Sequence, residues 1–241
     1  MKNVKLIALR ELGAYFRSMS GYVIASIFLL SVGILFHAMA MGESERRSAE
    51  VLYNFFFFTS GATMICSLVL SMRLLAEEKQ TGTIALLASS PVRDREIILG
   101  KYIGALVFLW LMILATLYVP LMILVNGKIS WGHLAAGYMG LMLLGGSTLA
   151  IGTFGSAIGK NQVLAIIISA VLVSVLLMAW MLARVTERPF SEFFLSIALF
   201  HKHFTPFGRG VIHLRDIVYY LGLIYFSLFA ATRVLEARRW R

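Results

Sequence analysis

The chain has 241 residues, of which 59% are hydrophobic and only 14% charged; soluble domains sit nearer roughly 45–50% and 25%. That much apolar surface excludes a water-soluble globule and calls for lipid, so one all-α integral membrane domain is expected over residues 1–241. A net charge of +10 would suggest nucleic acid in a soluble protein, but here the bases gather at the ends of apolar runs, which assigns them to membrane orientation and leaves no nucleic-acid partner.

Residues 1–21 precede the first apolar run. Leu6, Leu9, Leu12 and Phe16 fall on one half of a helical wheel with Arg10 and Arg17 at its edge, which predicts a basic amphipathic helix lying on the membrane surface. Six runs are then long enough to cross a hydrocarbon core, which takes about 20 residues: roughly 22–41, 52–75, 102–125, 133–158, 163–183 and 217–236. Each must be helical, because lipid offers no partner to a free N–H or C=O. The run 22–41 is too long for a cleaved signal segment, so it reads as the first span. Phe55–Phe58 read as an interfacial aromatic belt, Pro120 should kink the outer end of the third span, and Cys66, the one cysteine, reads as a small buried hydrophobe.

Six spans put both termini on one side. Fourteen of the 22 lysines and arginines, from Lys2 to Arg17, Arg73 to Lys101, at Lys160 and from Arg233 to Arg241, fall on that side. The positive-inside rule therefore makes it cytoplasmic. The fourth span is rich in small residues and carries the pair Gly155 and Gly159. Such pairs let helices approach closely in lipid, either within the chain or at a dimer seam. The outer stretch 184–216 is too long for a turn and too apolar for a solvated loop, so a re-entrant or interfacial helix is expected there.

The longest polar interruption is the stretch 76–101, with Glu77, Glu78, Lys79, Arg93, Asp94, Arg95, Glu96 and Lys101. Thr81-Gly82-Thr83 predicts a break and then an N-cap at Thr83 for a short helix through Ile84, Leu86 and Leu87, ended before Pro91. A second helix should start near Asp94, whose carboxylate suits a helix N-terminus. Apolar knobs between flanking charges are built to be gripped by another protein.

Chemistry within the chain is poorly supported. The five histidines lack an adjacent nucleophile, and His201 and His203 would not share a helix face for a metal, so they read as surface or interface residues. The phosphate-cradling sequence G-x-x-x-x-G-K-[ST] is absent, so no cofactor is expected in this chain and ATP hydrolysis would need a separate subunit. The cores of the spans are bare of Asp, Glu, Lys and Arg, which leaves little to couple to a proton gradient.

Glu78-x-x-x-Gly82-Thr83-Ile84-x-Leu86-Leu87-x-x-x-Pro91, with Gly100-Lys101 before the next span, resembles the signature of ATP-binding-cassette type-2 permeases, the type V exporter fold. His203-Phe204, Arg209-Gly210-Val211-Ile212 and Arg215-Asp216 are similar to a string in its gliding-motility-associated, GldF-like branch. The resemblance implies a bacterial inner-membrane permease subunit whose 83–90 helix passes motion from two ATPase subunits, which hold ATP and Mg. It also implies a second permease, identical or homologous, a substrate path at the seam and gating by 184–216. The alternative is ATP-driven mechanotransmission through 184–216 to an outer partner protein.

Overall fold

The computed structural model describes residues 2–40, 48–83, 92–126, 130–187 and 190–239. It is 87% helix, and the described residues contain no strand. Six helical stretches are long and apolar enough to cross a membrane: Met19–Ala38, Ser48–Gln80, Asp94–Ile123, Trp131–Ile158, Gln162–Val185 and Leu214–Ala237. They run up and down, so that one end of the bundle carries α1 and residues 75–83 and 92–101, and the opposite end carries residues 184–187 and 190–216.

Helix α1 (Lys2–Arg17) precedes the spans. Ser18 closes it and caps the next helix, its hydroxyl accepting the Gly21 N–H at 3.2 Å. The first span is α2 (Met19–Leu35) with a π-helical turn at Phe36–Ala40; the second is α3 (Ser48–Leu74), continued after a break by α4 (Ala76–Gln80). The third is α5 (Asp94–Ala115) and α6 (Tyr118–Asn126). The interruption at Thr116–Leu117 lies one turn before Pro120, because the proline ring excludes the carbonyl four residues back. Thr116 meets the break with its hydroxyl, which donates to the Ile113 carbonyl at 2.7 Å and pairs with the Tyr138 hydroxyl at 3.1 Å.

Helix α7 (Trp131–Ile158) is the hub, buried over most of its length. Helices α3, α5, α8 (Gln162–Val185) and α11 (Leu214–Arg239) all pack on it. Its glycines set the distances. A Cβ on Gly152 would lie 2.0 Å from the Ser71 hydroxyl of α3, and one on Gly145 would lie 2.8 Å from the Thr63 methyl. Close approach brings hydroxyls together too: Ser67 and Thr148 pair at 2.7 Å across the α3–α7 seam. Gly155 and Gly159 face α8 of the same chain, where added Cβ atoms would meet Ser169 Oγ at 2.1 Å and Ala165 at 2.8 Å. The pair therefore packs within the bundle.

One expectation needs correction. The phenylalanine quartet is not all belt: Phe55 and Phe56 are buried against Tyr138 of α7, and Phe57 is the exposed ring. Helix α1 does present Leu6, Leu9 and Phe16 outward, but it also packs along α5. There Ile7 and Glu11 cover Gly100 and Gly104, and Tyr15 stacks on Phe108 with centroids 4.8 Å apart.

Because α3 and α7 leave no room for a side chain at Gly152, Gly152→Leu should lower stability by about 1–3 kcal/mol through overpacking. Gly222→Leu on α11, where a Cβ meets nothing within 4 Å, should be neutral. Thermal unfolding in detergent compares the two.

Candidate functional site at the elbow after the second span

The second span ends in a break whose freed backbone groups are taken up by α7. The N–H groups of Leu75 and Ala76 both donate to Ser156 Oγ, at 3.1 and 3.0 Å. One turn on, Lys79 Nζ donates to the carbonyls of Ser156, Ala157 and Gly159 at 3.0, 2.5 and 2.9 Å. A cation on the last carbonyls of a helix meets both its orphan acceptors and the negative end of its dipole. Helix α4 is thereby fastened to the end of α7.

Beside it lies a buried charge cluster. Lys101 of α5, only 3% exposed, pairs with Glu78 Oε1 of α4 at 2.8 Å and with Glu11 Oε2 of α1 at 3.4 Å. Arg73 pairs with Glu77 at 2.9 Å and donates to the Ser20 hydroxyl of α2. Glu11, Tyr15, Arg73, Glu77, Glu78 and Lys101 line a cavity of about 240 Å³. Burial pushes the Tyr15 phenol far up, so it stays neutral. Glu78 Oε2 is buried without a hydrogen-bond partner among the described residues.

The exposed tip follows. Thr81 caps α4 through its N–H to the Glu77 carbonyl at 2.9 Å, and its hydroxyl pairs with that of Thr83 at 2.9 Å. Gly82 has φ +73°, a left-handed conformation open to glycine. Ile84, Leu86, Leu87 and Pro91, and with them the short helix expected over 83–90, lie outside the described residues. The chain re-enters at α5, which does start at Asp94. Glu96 accepts the Arg93 N–H at 3.3 Å and the Asn3 side-chain amide of α1 at 3.1 Å, so its own carboxylate and the leader together fix the helix start.

At the opposite end, the 184–216 segment is folded into the bundle through α9 (Phe190–Ile197) and α10 (Thr205–Gly208). Phe204 and Phe207 are buried over Gly140 of α7. His203 is a correction to the surface reading. It is 3% exposed, its Nδ1 lies 2.8 Å from Oδ1 of the fully buried Asp216, and its Nε2 lies 3.2 Å from the Ser196 carbonyl. Tyr219 stacks on the ring at 3.8 Å and donates to the Ile197 carbonyl. Arg215 reaches Asp216 at 3.5 Å, Arg209 lies over the Tyr53 ring at 6.0 Å, and Gly210, at φ +83°, packs against His133. His203, Asp216 and Arg215 are thus brought together, whereas Phe204 and Gly210 face α7 and Arg209 faces α3.

Glu11 is the residue that the sequence did not reveal at the elbow. Its single signal was an acid in an otherwise basic leader, and its partner stands 90 residues away.

The profile of the ABC-2 family transporter proteins matches residues 6–207, from α1 to α10. The chain belongs to that family. No curated protein matches it significantly. As an ABC-2 family member it is a multi-pass permease subunit of an ABC transporter, a generally non-catalytic membrane component whose partner is an ABC ATPase subunit. The elbow of this permease holds hydrogen bonds and ion pairs, and no group of three or more potential metal ligands occurs among its described residues.

Removing one member of a buried ion cluster leaves an uncompensated charge, at a cost of about 3–5 kcal/mol. Lys101→Met should therefore destabilise strongly, and adding Glu78→Leu and Glu11→Leu should recover most of the loss. Unfolding midpoints in detergent test both steps.

Proposed function

We propose that the chain is the membrane-spanning subunit of an ATP-driven exporter, and that the elbow of α4 and the following loop carries motion from a separate ATPase subunit into the bundle. The observation that supports this reading is the convergence of contacts at Arg73, Lys79 and Lys101. Lys79 grips the end of α7, Lys101 joins α4 to α5 and α1, and Arg73 joins α3 to α2. A push on the exposed tip at Thr81–Thr83 is delivered to four spans through polar contacts that are already in place.

The complete assembly in this reading has two permease chains, identical or homologous, above two ATPase subunits that bind ATP and Mg. It lies in a bacterial inner membrane with both termini and the elbow cytoplasmic. Gly82 and Thr83, with Ile84, Leu86, Leu87 and Pro91, form the ATPase-facing surface, and Glu77 and Glu78 carry its motion inward through their pairs with Arg73 and Lys101; an apolar patch framed by charge gives a partner both grip and register. The string His203-Phe204, Arg209-Gly210 and Arg215-Asp216 supports a place in the GldF-like branch.

Gly82→Pro replaces a residue at φ +73° by one fixed near −65°. With the cognate ATPase co-expressed, it should cut coupled transport at least about ten-fold, a barrier change of about 1.4 kcal/mol, while the protein still inserts. Unchanged transport and stimulated hydrolysis would reject the elbow as transmitter. Orientation is tested separately. In a Cys66→Ser background, Gly82→Cys should react with an impermeant maleimide in inverted vesicles and stay unlabelled in right-side-out ones; the reverse pattern would overturn the topology.

A further inference from the structure

A second cavity lies away from the elbow. It is a groove of about 640 Å³ lined mainly by α3, with α2 and the last turns of α8 completing it. Along α3 it runs from Phe57 to Val69, which is about 18 Å at the helical rise. Half of a hydrocarbon core of about 30 Å is close to that length. The hydroxyls that reach the lining are already used by their own helices: Ser31 donates to the Ile27 carbonyl at 2.7 Å and Ser60 to the Phe57 carbonyl at 2.6 Å. The interior therefore asks for no hydrogen bond, and suits a saturated or unsaturated hydrocarbon chain.

The mouth is different in kind. Trp180 of α8 carries His201 on one side, with ring centroids 4.1 Å apart, and the Arg184 guanidinium 4.5 Å from its ring centre. Among the described residues no carboxylate pairs with Arg184. Next to His201 a shallower depression presents Lys202, Arg209 and His213, and its lining includes no acid. Burial, and then the Arg184 charge, lower the pKa of His201, so the positive charge at the mouth comes from the arginines and the lysine. An apolar trough one leaflet deep, opening under an aromatic ring and cationic charge that no carboxylate pairs among the described residues, has the two-part chemistry of an acidic amphiphile.

We propose that this groove is a binding site for an anionic phospholipid, with one acyl chain lying along α3 between α2 and α8 and the phosphate at Arg184 beside Trp180 and His201. The cation favours net negative headgroups over zwitterionic ones, and the trough selects for a chain that reaches the middle of the bilayer. Binding of this kind needs no nucleotide, so it stands or falls independently of the coupling through the elbow.

The test uses the purified full chain and acyl-brominated lipids, whose bromines quench tryptophan on contact. Trp180 emission is isolated as the difference between the wild type and Trp180→Phe. Brominated phosphatidylglycerol should half-quench that emission at about one-fifth of the mole fraction needed by brominated phosphatidylcholine, the preference expected of one basic residue near the headgroup. Arg184→Gln, at an exposed position, should abolish the preference. Gly61→Leu should abolish quenching by either lipid, because a Cβ at Gly61 meets nothing within 4 Å and the side chain fills the groove without displacing its walls. Equal quenching by the two lipids in the wild type would overturn the proposal, as would quenching that survives Gly61→Leu. Conversion of a dimer to monomers by Gly61→Leu in native mass spectrometry would overturn it too, since the groove would then be a seam between copies.

Discussion

Everything in this bundle depends on how closely α7 can be approached. In lipid, helices gain nothing from leaving one apolar medium for another, so their association rests on tight van der Waals contact and on hydrogen bonds between them. Helix α7 supplies the first by placing glycines under five incoming side chains: Phe56 over Gly137, Phe207 over Gly140, Thr63 over Gly145, Ser71 over Gly152 and Ser169 over Gly155. It supplies the second with hydroxyls such as Thr148 and Ser156 that bond across the seam. The partners contributed to these contacts come from α3, α8 and the 184–216 segment, so one helix positions both ends of the molecule.

That hub also completes the two polar ends of the bundle. The elbow is a helix break, and a break in lipid exposes N–H groups that must find acceptors; Ser156 of α7 is there to accept them. The 184–216 segment also contains irregular backbone. Its carbonyls at Ser196, Ile197 and Leu199 are met by His203, Tyr219 and Tyr220, and its rings are seated on α7 and α11. Each end of the bundle thus exchanges exposed backbone for side-chain hydrogen bonds, and each does so with residues drawn from distant parts of the chain.

The sequence carried the elements well and their pairings badly. Apolar length alone located all six spans, since about 20 residues without charge have one structural meaning in a chain this hydrophobic. The start of α5 at Asp94 followed from helix-end electrostatics, and the break before Pro120 from ring sterics, although only the structure places it at Thr116. At the elbow the charges were visible, but not that Lys101 would be sunk between Glu78 and Glu11. Nothing local ties residues 11 and 101, and an acid in a basic leader reads as solvated until α1 is laid on α5. His203 was misread for the same reason. A histidine in a polar-flanked segment looks exposed, and its partner Asp216 stands 13 residues on, beyond a turn. Four rings in a row at Phe55–Phe58 give no clue in sequence to which two face inward.

The grip of Lys79 on α7 has a mechanical consequence. Three carbonyls share one ammonium group, and its three N–H donors sit on a flexible four-carbon stem. As α4 moves away from α7 the stem can extend and give up the carbonyls one after another, so the helix end keeps part of its counter-charge through the first part of the motion. The joint should therefore behave as a tether that slackens by stages and re-forms when the load is removed.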